Sequence, residues 1–343
     1  MKPKISILVV HFNSMKEQQI VEEHLKALRS LDYPNYEVIA LDNGSTDSTY
    51  KFLKEKVTDS RFKLLRSDIN TFFGGGNNIA FKAASKESKY LYLVNPDAVP
   101  NPDSANILTE LMESDPKLGA IQGKFITGKG KIDTGRFIAD DGNVIRLHTA
   151  NMDPNKESLV TYVSGAMMML RGEFSRSRGF IFYEVPFLYF DSSVLGMELY
   201  HHGYKVKYFP YETGYHKGKA TTEDEVSDLH IKISRFLFIM ITNSKFRKYI
   251  KEYFIANYLK EGIRKAMGKK LASPSNYLKA FRMAMKYNKE LNIHLDIYRI
   301  PHAESCYKTF FMDMFSAAVR QRLIKGNYKI VVPNENEMPF IEV

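Results

Sequence analysis

Residues 90–100 read YLYLVNPDAVP, and the rest of the chain can be laid out around this stretch. Tyr90–Val94 is an unbroken apolar run, the pattern of a strand buried on both faces of a sheet. Pro96 ends it, because proline brings no N–H to a ladder and pushes Asn95 away from helical geometry. Asp97 is thereby set just past the carboxyl end of a central strand, the rim at which open α/β sheets bind their ligands. An acid at that point can hold a divalent cation on a diphosphate, since Mg²⁺ and Mn²⁺ prefer hard oxygen donors. A solvated turn aspartate is the competing reading.

On either side of this stretch the pattern alternates. Residues 5–10, 37–41 and 62–65 read as strands; residues 15–30, a segment marked by Tyr50, Leu53 and Val57, and residues 77–85 read as helices. Residues 103–112 add a helix and 120–125 a strand. Such alternation predicts a mostly parallel central sheet with helices on both faces. Residues 127–160, rich in Gly, Asp, Asn and Lys, predict a long excursion over the active face. Residues 163–170 resume as a strand, 193–202 as a short helix, and 206–209 as a last strand before Pro210. From about Glu223 the pattern is nearly all helical. The expected organisation is therefore an α/β domain over residues 1–222 and a mainly helical region over 223–343.

Composition narrows the class. The 343 residues, 44% hydrophobic and 26% charged, are ordinary for a globular chain with ample core. One cysteine, Cys306, excludes a disulfide framework and a cysteine zinc site and fits a reducing compartment. No run approaches the roughly 20 apolar residues that span a bilayer, so a cytoplasmic protein is expected. The net charge of +10 is uneven: residues 245–270 hold nine basic residues against two acids. Such a patch favours an anionic partner. Membrane surface, nucleic acid and a polyanionic substrate are the candidates, and no nucleic-acid-binding module is recognisable. A peripheral contact of residues 245–270 with the inner face of the cell membrane is one expectation. Phe246, Tyr249, Ile250, Tyr253 and Phe254 share one helical face that could meet it, a packed helix with a solvated basic face being the alternative.

Four clusters carry chemistry. Residues 41–47, LDNGSTD, end a strand at Asp42 and turn at Gly44, with Ser45 or Thr46 free to cap the next helix. An acid at that strand end can accept the imide N–H of a uracil or thymine ring; a plain capping loop is the alternative. Residues 73–80, FGGGNNIA, place three glycines before a helix, where backbone can approach a ligand closely. Their spacing is neither a dinucleotide fingerprint nor a Walker loop. Asn95-Pro96-Asp97 is the third. The fourth joins residues 187–192, FLYFDS, with His216-Lys217-Gly218: Asp191 can act as a general base toward a hydroxyl, and His216 can reach the rim as a metal or phosphate contact.

In order and spacing these segments resemble family 2 glycosyltransferases: Val9-Val10-His11-Phe12-Asn13, residues 37–47, residues 74–78, Val94-Asn95-Pro96-Asp97, residues 164–171 (SGAMMMLR) and Tyr215-His216-Lys217-Gly218. The asparagine-proline-aspartate form looks most like the rhamnosyltransferase-like subset. The resemblance covers about residues 4–220 and implies a single GT-A-type (nucleotide-diphospho-sugar transferase) domain. It further implies transfer with inversion from a nucleotide-diphosphate sugar to a glycan or lipid-linked acceptor in surface polysaccharide synthesis. Asp42 would bind the nucleobase, with UDP or dTDP favoured. Val10, Asn13, Gly75, Asn77 and Asn95 would line the donor site, Asn95 standing where many relatives have an acid. Gly165 would line the sugar and acceptor site. Asp97 and His216 would hold Mn²⁺ or Mg²⁺ and the diphosphate.

One position departs from the family. Relatives carry a Glu-Asp pair after the aromatic run and a further acid two residues on, the second of the pair being the base. Here Asp191-Ser192 stands at the pair and Val194 at the later acid, and the loop over residues 181–186 is about two residues longer. Asp191 is the expected base and Glu184 the fallback. A degenerate, non-catalytic sugar-nucleotide or glycan-binding protein is the other expectation.

Overall fold

The structure, a computed structural model, describes residues 2–147, 152–185, 190–218, 225–268, 273–305, 328–334 and 338. The aromatic run 187–189, Cys306 and Lys269-Lys270 lie outside the described residues. The chain divides into two compact units that interleave in sequence. The first takes Met1–Gly135, Pro154–Glu184 and Tyr204–Ala220; the second takes Arg136–Asp153, Val185–Gly203 and Thr221–Val343.

The first unit is built on a ten-stranded sheet. Its strands are β1 (Ile5–His11), β2 (Tyr36–Asn43), β3 (Phe62–Ser67), β4 (Tyr90–Val94), β5 (Ala98–Pro100), β6 (Leu118–Thr127) and β7 (Ile132–Asp133). In the second unit β8 (Arg136–Ile138) pairs with β9 (Val144–Arg146), and the first resumes with β10 (Ser158–Leu159), β11 (Met167–Arg171) and β12 (Lys205–His216). The sheet order is β10-β12-β6-β11-β4-β1-β2-β3. β4, β1, β2 and β3 run parallel, as do β6 and β12, while β11 is antiparallel to both its neighbours. Helices α1 (Gln18–Arg29), α2 (Thr49–Lys56), α3 (Phe72–Ala83), α4 (Ser104–Ser114) and α5 (Gly172–Arg178) complete the unit. Every residue of β4 is buried, as an apolar run flanked on both sides requires. This is the expected mixed α/β, GT-A-type architecture with its mostly parallel core.

Three local expectations are corrected. Gly74–Gly76 lie inside the first turns of α3 rather than before it, because close contact with β1 makes up for the weak helix propensity of glycine. The last strand does not stop at Pro210 but runs to His216, with register shifts between Tyr208 and Glu212 and between Glu212 and Gly214. Those irregularities accommodate the missing proline N–H. The excursion over residues 127–160 also contains the short pairings β7, β8–β9 and β10.

The second unit contains α6 (Asp191–His201), α7 (Glu225–Ile241), α8 (Ile250–Ala266) and α9 (Pro274–Leu291). It is less purely helical than its sequence implies: β13 (His302–Ser305) pairs with β14 (Tyr328–Val331). The apolar face expected to meet a membrane is instead spent on packing. Phe246 and Tyr253 are buried, Tyr253 sets its ring edge-on to Phe236, and Phe254 stacks on Phe281 at 4.7 Å. Among the described residues no helix is long and apolar enough to cross a membrane.

Candidate active site

Asp42, the last residue but one of β2, is fully buried, and neither carboxylate oxygen has a hydrogen-bond partner. The half-exposed Arg66 sets its Nε 3.5 Å from Oδ2 while its guanidinium stacks 4.5 Å over Tyr50. A buried carboxylate with open acceptor sites is costly unless something donates to it. The next residue, Asn43, shapes the wall beside it. Its Oδ1 accepts from the Thr71 amide (3.1 Å) and hydroxyl (2.8 Å), and its side-chain amide donates to the Phe72 carbonyl and Asn70 Oδ1, both at 3.1 Å.

Asn13 does a similar job at the end of β1. It sits in the left-handed region (φ 46°), accepts from the Thr46 amide at 2.8 Å, and donates its own amide to Ser45 Oγ at 2.9 Å. The helix after this loop is capped by neither Ser45 nor Thr46. Asp47 Oδ1 accepts from the Thr49 amide at 3.0 Å, leaving Ser45 for Asn13. Among the described residues of this unit, Phe72, which opens α3, is the other non-glycine residue in the left-handed region (φ 60°), and its carbonyl accepts from Asn43.

Within the glycine run both Gly75 and Gly76 are closely approached: a Cβ at Gly76 would come within 2.6 Å of Val10 Cγ1, and one at Gly75 within 2.8 Å of Thr71 Cβ. Val10 therefore packs under α3. Asn77 is buried and donates to the Phe73 carbonyl of its own helix at 2.9 Å. Asn78 clamps residues 181–182, donating to the Phe182 carbonyl at 2.7 Å and accepting from the Ile181 and Phe182 amides.

At the end of β4 the Asn95 amide donates to the Ala166 carbonyl at 2.8 Å, which brings Gly165 alongside it. Strand β5 follows Asp97 immediately and pairs antiparallel with the end of β12, setting His216 opposite Ala98. This pairing brings His216 Nε2 to 3.1 Å from Asp97 Oδ1. Burial pushes the Asp97 carboxyl up, but the His216 hydrogen bond and charge hold it below the usual range. The strand crossing depends on Gly214, at φ 148°, where a Cβ would stand 2.3 Å from the Val99 carbonyl oxygen.

His24, on the buried face of α1, sets Nδ1 2.6 Å from the Ala98 carbonyl oxygen, directly behind Asp97. Burial lowers its pKa to about 4 and that of the neighbouring His11 to about 3, so both are neutral near pH 7. Sequence reasoning missed His24, although its place among Ile20, Val21, Leu25 and Leu28 marks it as inward-facing.

In the second unit Asp191 opens α6, 8% exposed, and burial raises its pKa to about 8. In the first unit Glu184 is exposed.

The model of Glycosyl transferase family 2 matches residues 6–177, half of the chain. The chain belongs to this family. It is 26% identical over 211 residues to poly-β-1,6-N-acetyl-D-glucosamine synthase of Staphylococcus epidermidis, covering 60% of this chain and 48% of the relative. It is 24% identical over 217 residues to the Staphylococcus aureus (strain COL) synthase of the same name, with the same shares covered. The chain thus spans about half the length of the curated relatives it matches. Among solved structures, S. aureus TarS 1–349 in complex with UDP-GlcNAc superposes with a TM-score of 0.55 at 15% identity, covering 84% of each chain. The mannosyltransferase PcManGT of Pyrobaculum calidifontis, in complex with GDP-Man and Mn²⁺, gives 0.50 at 16% identity over 94% of this chain and 81% of its own. At these identities the likeness is one of fold.

Among the described residues no three or more His, Cys, Asp or Glu side chains group as a metal cage. Asp97 and His216 nevertheless fit a cation held jointly with substrate phosphates, since Mg²⁺ and Mn²⁺ are commonly bound by one or two protein ligands plus phosphate oxygens and water. The chemistry of the pair, an anionic carboxylate with an imidazole against it, suits that arrangement.

Proposed function

We propose that this protein is an inverting, metal-dependent hexosyl- or deoxyhexosyltransferase. It moves a sugar from a UDP or dTDP sugar to a hydroxyl of a glycan or lipid-linked saccharide in surface polysaccharide or glycoconjugate synthesis. The observation that carries the reading is the Asp97–His216 pair at the carboxyl rim of the sheet. In this reading the donor-binding part is drawn from residues 1–222, residues 223–343 are an accessory, and the enzyme works in the cytoplasm at the inner membrane face.

Each residue then has a task. The open oxygens of Asp42 accept from the nucleobase. Asn13 and Asn43 hold the loops around it, and Val10, Gly75, Asn77, Asn95 and Gly165 shape the donor and sugar site. Asp97 and His216 would hold a divalent cation, which when bound neutralises charge on the departing diphosphate. Asp191, once ionised, takes the acceptor hydroxyl proton. The oxygen forms its bond to the anomeric carbon as the bond from that carbon to the phosphate oxygen breaks, and the configuration inverts.

A thermal-shift panel of UDP, dTDP and GDP sugars with and without Mn²⁺ tests the donor. A ligand at a hundred times its dissociation constant adds about 2.7 kcal/mol to stability. UDP or dTDP sugars should give the largest shift, and only with Mn²⁺; no shift with any donor would overturn the reading. The eroded acid pair, with Ser192 and Val194 in place of carboxylates, supports a second reading as a non-catalytic sugar-nucleotide or glycan-binding protein. Donor binding without transfer or hydrolysis is its signature.

A further inference from the structure

We infer that α8 docks on an anionic bilayer through the face it turns away from its own unit. This deepens the membrane contact of the proposed function and replaces the face read from sequence. The inner side of α8 is already used. Tyr253 and Phe254 pack on α7 and α9, and the buried Glu261 pairs with Arg264 at 2.7 Å and Lys232 at 3.4 Å. The outer side carries Ile255 (55% exposed), Tyr258 (38%), Leu259 (57%) and Ile263 (62%), with Met267 (69%) just past the helix end. Steps of three and four residues align them as one stripe. Gly262 lies in the same stripe, and a Cβ built there meets nothing within 4 Å.

Single exposed apolar residues need no explanation, but a continuous stripe marks a contact surface. Charge selects the partner. Arg247, Lys248, Lys251 and Lys265 are exposed around the stripe, and within residues 245–268 the exposed acid is Glu252. A second copy of this chain would bring like charges face to face, whereas anionic headgroups complement them. An apolar stripe bordered by cations, on a helix about 25 Å long, is the form of a helix lying in the plane of the membrane interface.

The test is co-sedimentation of the full chain with phosphatidylglycerol–phosphatidylcholine vesicles and with pure phosphatidylcholine. Binding should occur only to the anionic vesicles and be lost at high salt. Leu259→Asp with Ile263→Asp should lower partitioning at least tenfold, and each of Lys251→Gln and Lys265→Gln about fivefold. Gly262→Leu should raise it with the anionic vesicles while leaving the pellet of vesicle-free controls unchanged, which separates tighter docking from aggregation. Unchanged partitioning in the double aspartate variant would overturn the inference, as would equal recovery from both vesicle types. So would a concentration-dependent dimer abolished by that variant, which would give the stripe to a second copy. The donor thermal shift, read on the same variants, keeps the two ideas apart. Vesicle binding without donor binding sinks the transferase reading and leaves the docking surface standing.

Discussion

Asp97 and Asp191 are almost equally hidden, at 6% and 8% exposure, yet their protons are held in opposite directions. At Asp97 the His216 imidazole outweighs burial and keeps the carboxyl below its ordinary range. At Asp191 burial is opposed only by the backbone N–H of the same residue, and the proton stays up to about pH 8. The difference teaches that a partner, not depth, decides whether a buried carboxylate remains charged. A permanently anionic group suits cation and diphosphate binding, while a group titrating near neutrality suits proton transfer.

The sharpest way to break this contrast is Asp191→Asn. A positioned base contributes about 10²–10⁴-fold, so transfer should fall by that factor while donor affinity holds. With ionisation required, wild-type kcat/KM should climb about tenfold per pH unit below 8 and level off above it. A flat profile from pH 6 to 8 would remove Asp191 from the role, and loss of transfer in Glu184→Gln alone would move it to the preceding loop.

Asp97→Asn probes the other half. Titration calorimetry with UDP or dTDP should show donor binding that no longer responds to Mn²⁺; a surviving metal effect would detach the cation from this pair. Asp42→Ala should weaken nucleotide binding by about ten- to a hundredfold, since a hydrogen bond to a charged group is worth roughly 1.5–3 kcal/mol. An unchanged dissociation constant would place the base elsewhere.

Gly214→Ala tests whether the strand crossing delivers His216 to Asp97. Strain at such a backbone position costs about 1–3 kcal/mol, so denaturant melts should show that loss, with weaker metal dependence. The last test is one of linkage. Folded Asp191 keeps a proton that the unfolded chain loses near its ordinary value of 3.8. Stability is therefore fullest below about pH 4 and falls as pH rises toward 8. Asp191→Asn should remove that slope from melting curves taken across the window.

Much of this was legible in the chain. Local rules exposed β4, because five consecutive apolar residues closed by Asn95-Pro96 leave few alternatives. They exposed Asp42 for the same reason, at the end of another buried run. The glycine run was visible, but not what presses on each glycine: Gly76 faces Val10, a residue 66 positions earlier in sequence. The second unit was the least legible. Phe246, Tyr253 and Phe254 form an amphipathic face whether that face meets lipid or protein, and periodicity is silent on which partner arrives.

The sequence by itself determined that the first part of the chain is α/β, with the motif order of the family 2 model, and which acids stand at the ends of its strands. Hydrophobic period and turn chemistry act over a few residues, and those features are local. The tertiary structure decided what each acid became. Pairing of β5 with β12 joins residues more than a hundred positions apart and gives Asp97 its histidine. At the start of α6, burial outweighs the hydrogen bond from Asp191's own backbone, so it keeps its proton. Proton affinity and surface exposure depend on what surrounds a side chain in space, and only the folded chain fixes that.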